Sequence, residues 1–114
     1  MLCALTVCLN DGRFRVRSSF VTSQDSGQGN AVMLTDDTGY FSFFQAANVE
    51  LVVKVLDACD TSFNRFWVFA AGLTDVEVEL EVTDTQEGMI LTYTNPQGSA
   101  FVPIQDTDAF ATCP

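Results

Sequence analysis

The chain has 114 residues, enough for one domain with a single core, and 47% of them are hydrophobic, ten being Phe, which is too apolar for a disordered tail. Fifteen acidic residues against five basic ones give a net charge of −10, which disfavours nucleic-acid phosphates and anionic lipid as partners. Without a single histidine, no Ser-His-Asp or Cys-His centre, no His-ligated zinc and no imidazole pH switch can be assembled.

In chain order, Leu5, Val7 and Leu9 alternate with other residues and predict a first strand. Phe14 and Val16 alternate with Arg13, Arg15 and Arg17 and predict a second, with a basic outer face. Apolar parity switches from odd to even between them, so Asn10-Asp11-Gly12 must hold a turn or a bulge. Ser23 to Asn30, the one low-complexity stretch, reads as a mobile exposed loop. Ala31 to Thr35 and Tyr40 to Phe44 are short strands on either side of the turn signal Asp36-Asp37-Thr38-Gly39. Val49 to Leu56 and Phe66 to Ala71 are dense in β-branched and aromatic residues and predict central strands, joined by the polar segment Asp57 to Asn64. Gly72-Leu73-Thr74-Asp75 then turns the chain into the strongest periodic signal, Thr74 to Asp84. There Asp75, Glu77, Glu79 and Glu81 alternate with Val76, Val78, Leu80 and Val82. Gly88 to Asn95 repeats the pattern after a hairpin connection. No segment keeps a 3.6-residue period. The expected fold is therefore all-β, residues 1-114 forming a single antiparallel immunoglobulin-like sandwich of about seven to eight strands.

No apolar run approaches the roughly 20 residues that cross a bilayer as a helix, so membrane insertion is not expected. The first eight residues lack a basic n-region and a cleavage pattern, so this stretch reads as following a removed leader or as an excised domain.

Cys3, Cys8, Cys59 and Cys113 are even in number and contain no C-x-x-C pair, which favours disulfides over zinc or dithiol chemistry. Cys3 and Cys8, five apart, would point to opposite faces of an unbroken strand. Of the three connectivities, the expected one is Cys3 with Cys113 and Cys8 with Cys59. Such a protein belongs outside the reducing cytosol.

Charge is concentrated: residues 49 to 114 carry −9 of the −10. Glu77, Glu79 and Glu81 read as a solvated strand face, or as a cross-strand ladder with Arg13, Arg15 and Arg17 if the two strands are neighbours. Such a ladder would set register more than stability. Asp36, Asp37, Asp57, Asp60, Asp84, Asp106 and Asp108 could offer oxygens to calcium, but no D-x-D-x-D-G run exists and aspartate also favours turns. No cofactor is expected. Tyr40 to Phe44 and Phe63 to Phe69 are crowded with aromatic rings. A sandwich buries one face of each strand, so Tyr40 and Trp67 are candidates for a sticky surface patch, with Tyr93 as a third ring for a sugar. No G-x-S-x-G or S-x-x-K setting exists, and no nucleophile stands out.

Several segments taken together carry a resemblance: Cys8 to Val16, Gly39 to Phe44, Val49 to Cys59, Phe66 to Val78, and Asp108 to Cys113. They resemble an uncharacterised domain recurrent in secreted and cell-surface proteins of environmental bacteria, and the likeness spans nearly the whole chain. The resemblance implies an extracellular location and disulfide-bonded cysteines, and it brings no catalytic or ligand residue. Ala58 stands where that pattern has Gly before the cysteine.

The leading expectation is a non-catalytic accessory or assembly domain whose partners are protein modules or copies of itself. A carbohydrate-binding module using Tyr40, Trp67 or Tyr93 is the first alternative. A small secreted protease inhibitor, plugging a cleft with Ser23 to Asn30 or Asp57 to Asn64, is the second. An enzyme is not expected.

Overall fold

The computed structural model describes residues 5–114. Among them the regular structure is all strand, ten strands in two antiparallel sheets. The first sheet holds β1 (Val7–Leu9), β2 (Phe14–Val21), β8 (Glu77–Asp84) and β9 (Met89–Asn95) in that order, with β3 (Ser26–Gln28) also against β2. In the second, β10 (Ile104–Phe110), β7 (Arg65–Gly72), β6 (Leu51–Ala58), β5 (Thr38–Ser42) and β4 (Asn30–Met33) lie side by side.

The alternating residues bury as their periodicity predicts. Phe14, Val16, Val78, Leu80 and Val82 from the first sheet share one core with Phe41, Leu51, Val53, Val55, Val68 and Phe110 from the second. Ring contacts cross between the sheets, Phe14 with Phe66 at 4.7 Å and Phe20 with Phe43 at 5.0 Å. Burial of such side chains contributes roughly 1.5–3 kcal/mol each, which makes this layer the main source of stability.

The parity switch at Asn10-Asp11-Gly12 is a hairpin turn in which all three residues have positive φ, 55°, 57° and 82°. Asn, Asp and Gly tolerate that conformation best. The turn is fastened to the second sheet by the Asn10 amide, which donates to the Val55 carbonyl at 2.8 Å.

Several expectations need correction. The described residues form ten strands, not seven to eight. Residues Ser26–Gln28 of the low-complexity stretch form β3, paired to Ser19 through Val21, because backbone pairing needs no apolar side chain. The stretch Ile104–Phe110, whose aspartates resemble turn residues, is β10 on the edge of β7, with a register shift between Asp106 and Phe110. The strand order also departs from the immunoglobulin one. There A-B-E-D faces C-F-G and no more than two consecutive strands lie side by side, whereas β4, β5, β6 and β7 form a four-strand meander.

The cysteine pairing differs as well. Cys59 is bonded to Cys113, so neither the Cys8 with Cys59 nor the Cys3 with Cys113 link exists. Antiparallel pairing of β10 with β7 aligns Phe110 with Phe66 and carries the chain's last residues toward the β6–β7 turn, where Cys59 lies. Cys3 lies outside the described residues, among which no cysteine is free.

A single residue, Gly29, separates β3 in one sheet from β4 in the other. Its amide donates to the Ser18 carbonyl at 2.9 Å. A Cβ there would fall on the Ser18 hydroxyl and within 3.1 and 3.2 Å of Phe43 and Phe41. The Gly29→Ala variant is therefore expected to lose about 1–3 kcal/mol from overpacking, measured as a lower urea midpoint with an unchanged slope. A neutral result would mean that the sheet-switching corner opens easily.

Candidate functional site

β2 and β8 are neighbours along their whole length, so the acidic and basic strands do face each other. Register reduces the expected ladder to one rung. Arg17 lies opposite Glu81 and pairs with it at 3.0 Å, while Arg15 faces Thr83, Ser19 faces Glu79 and Val21 faces Glu77. Arg17 is half exposed, so this pair contributes only tenths of a kcal/mol.

Arg13 does something different. Its guanidinium turns onto Asp84, with Nε to Oδ1 at 3.1 Å and Nη2 to Oδ2 at 3.0 Å, and Nη2 also donates to the Thr112 carbonyl at 2.8 Å. It stacks 4.6 Å from the centroid of the Phe66 ring. The Asp84 side chain is fully buried and also accepts the backbone N–H groups of Gln86 and Glu87. Burial alone would raise the Asp84 pKa. The bonds from Arg13 and the two amides, with the Thr112 side chain close by, outweigh it and hold the carboxyl below its ordinary value. The cluster joins the β1–β2 turn, the β8–β9 turn and the C-terminal segment.

Five of the other six candidate aspartates, all but Asp60, are also engaged in structure. Asp37 accepts from the hydroxyls of Thr38 and Thr35 and lies 3.9 Å from the Lys54 ammonium. The Thr38 bond is the main reason its pKa is lowered; burial opposes this, and Thr35 and Lys54 add to the lowering. Asp57 accepts the Cys59 amide, Asp36 the Asp11 amide, and Asp108 pairs with Arg65 at 2.8 Å. Among the described residues, no three carboxylates or cysteines converge on a metal position. Glu50, at the entry to β6, is buried with only the Asn48 amide near it, at 3.3 Å. Burial raises its pKa, partly offset by that bond.

The three rings singled out from the sequence do not share a surface. Tyr93 is on β9 of the first sheet, points inward at the edge of the core, and donates its hydroxyl to Asp106 on β10 at 2.7 Å. Burial, then that carboxylate's hydrogen bond and charge, push its pKa strongly upward. Tyr40 and Trp67 do lie on one face, the outward side of the second sheet. Three pairing rows define that face: Val32, Tyr40, Val52 and Ala71; Thr38, Lys54, Phe69 and Gln105; Leu56 and Trp67. No carboxylate occurs in any row. The Trp67 ring is held edge-on between Phe63 at 4.8 Å and Phe69 at 5.8 Å. Beside it a shallow open depression of about 460 Å³ lies between Val52, Lys54, Phe69 and Ile104.

This apolar outward face was legible only in part. Residues Val52, Leu56 and Phe69 alternate with core residues and look like more core in the sequence. Parity against Val53, Val55 and Val68 is the signal that separates them. The proposed inhibitor loops are also tied down: Ser23 to Asn30 contains β3, and Asp57 to Asn64 is braced by Thr61 on the Ala58 carbonyl at 2.7 Å and by the Cys59–Cys113 bond.

Among the described residues, no helix is long and apolar enough to cross a membrane. No family model, no curated protein and no solved structure matches the chain.

Proposed function

We propose that the chain is a non-catalytic extracellular assembly domain that docks onto a second copy of itself through the outward face of its second sheet. The observation that carries this is the contrast between the two outward faces. The first sheet presents Arg15, Arg17, Glu77, Glu79 and Glu81, whereas the second presents Tyr40, Val52, Leu56, Trp67 and Phe69 around two basic residues, Lys54 and Arg65. In a chain of charge −10, copies meet with least repulsion on a face whose pairing rows carry no carboxylate and whose flanking Asp37 and Asp108 are already paired with Lys54 and Arg65. Contiguous apolar surface on a small soluble domain is a contact site more often than decoration. The disulfide supports an oxidising compartment.

Two features weigh against the carbohydrate alternative. Trp67 is wedged edge-on by Phe63 and Phe69, not laid flat as a sugar platform, and Tyr93 is committed to Asp106 on another surface. The two-sheet scaffold serves display without an immunoglobulin strand order.

Light scattering over a concentration series tests the proposal. The wild-type mass is expected to rise above the 12.5 kDa of one chain, more so at high salt, where the like charges are screened. Phe69→Glu, a half-buried outward position, should keep the fold and weaken association. A wild-type mass fixed at one chain throughout would remove the proposal.

A further inference from the structure

The edges of the two sheets are not equally protected. An edge strand exposes unpaired N–H and C=O groups that template pairing with another chain, and proteins blunt such edges with short strands, charges, bulges or proline. β1 and β3 have three residues each and β4 has four. β10 carries Asp106 and Asp108 and an irregular register. β9 has none of these devices. It pairs with β8 through seven consecutive residues, Met89 to Asn95, without a shift, and its sequence MILTYTN contains no charge and no proline. Among the described residues no other segment pairs with its outer side. The core is open beneath it: Leu91 and Tyr93 point inward yet are only partly buried, and Met89 on the same side remains 43% exposed, while on the outward side Ile90 is 57% exposed.

We propose that β9 is a strand-addition edge, and that its occupant is β9 of a second copy, paired antiparallel about a two-fold axis at Thr92. Two arguments select a second copy. A closed two-fold contact requires a self-complementary surface, and this strand supplies one. Thr92 meets Thr92 of the other copy, Leu91 meets Tyr93 on the inner side, and Ile90 meets Thr94 on the outer side. Threonine pairs and aromatic with aliphatic pairs are favourable cross-strand neighbours. The second argument is charge. In an acidic chain β9 is a long uncharged edge; of the two outward carboxylates beside it on β8, Glu81 opposite the two-fold position Thr92 is already paired with Arg17 at 3.0 Å, and Glu79 lies opposite Thr94, away from the axis. The first sheets of two copies then join into one continuous sheet through main-chain hydrogen bonds.

This contact is separate from the outward face of the second sheet, and the two can be tested apart. Thr92 is exposed and its substitution leaves the core untouched, so Thr92→Cys adds a free thiol to a folded chain in which no described cysteine is free. Under mild oxidation it is expected to form a covalent dimer, the link mapping to position 92. The rate should exceed that of Val32→Cys, at another exposed position, on the β4 edge, by about tenfold or more, because pairing raises the local thiol concentration. Thr92→Cys that cross-links no faster than Val32→Cys overturns the proposal. If light scattering still shows association in that case, the outward-face contact stands alone. Cross-linking that persists in the Phe69→Glu background shows the edge acting without the face.

Discussion

Replacing Asp84 with Ala is expected to lower the unfolding free energy by about 3–5 kcal/mol, the usual cost of stranding one partner of a buried ion pair. The side chain is fully buried, receives two bonds from Arg13, and also accepts two backbone amides at the start of the β8–β9 turn. Its removal leaves the Arg13 guanidinium beside Phe66 with only the Thr112 carbonyl as a hydrogen-bond partner. Equilibrium urea unfolding measures the loss; a change below about 1 kcal/mol would show that the pair behaves like an exposed one. Replacing both partners together, Arg13→Met with Asp84→Leu, should cost far less, because no charge is then stranded. The pH dependence has a definite sign. The folded pKa of Asp84 lies below its unfolded value. Its stabilisation is therefore complete above the unfolded carboxylate range near pH 4 and is lost as pH falls through the folded value. Asp37 acts in the same direction. Acid unfolding should be steeper in wild type than in the doubly substituted variant.

Removing the Cys59–Cys113 bond, as Cys59→Ser with Cys113→Ser, is expected to cost about 4 kcal/mol. The bond spans 54 residues, and the chain-entropy relation for a loop of that length gives this figure. Thermal unfolding of the variant beside wild type measures it, and a midpoint unchanged within a degree would contradict it. This bond and the Arg13 cluster restrain the same segment, since Arg13 holds the carbonyl of Thr112, the residue before Cys113. Combining the disulfide variant with Asp84→Ala should therefore give a loss that differs from the sum of the two. Simple additivity would show that each fastening works alone.

Strands that bury one face announced themselves in the sequence. Val78, Leu80 and Val82 alternate with acids, Phe14 and Val16 alternate with arginines, and the hairpin residues Asn10, Asp11 and Gly12 mark their own turn. β3 and β10 were silent, because Ser26–Gln28 and the middle of Ile104–Phe110 lack β-branched alternation and are strands only through the neighbour they pair with. Missing β10 also hid the disulfide, since it is β10 that returns Cys113 to Cys59. Arg13 looked like the first rung of a surface ladder. Its inward turn depends on the buried Asp84 and the carbonyl of Thr112, brought together from positions 71 and 99 residues away. Of the surface-patch candidates, Tyr40 and Trp67 fell on one face by parity, whereas Tyr93 was drawn inward by Asp106, a partner only the fold supplies.

Trp67, the only tryptophan in the chain, sits on the apolar outward face and reports on that surface directly. Its fluorescence emission, followed while mass is measured across a dilution series, puts the assembly claim to its sharpest test. Emission is expected to shift to shorter wavelength as copies associate, and to stay constant for Phe69→Glu. Association of wild type with no change in Trp67 emission would contradict the claim that this face is where copies meet.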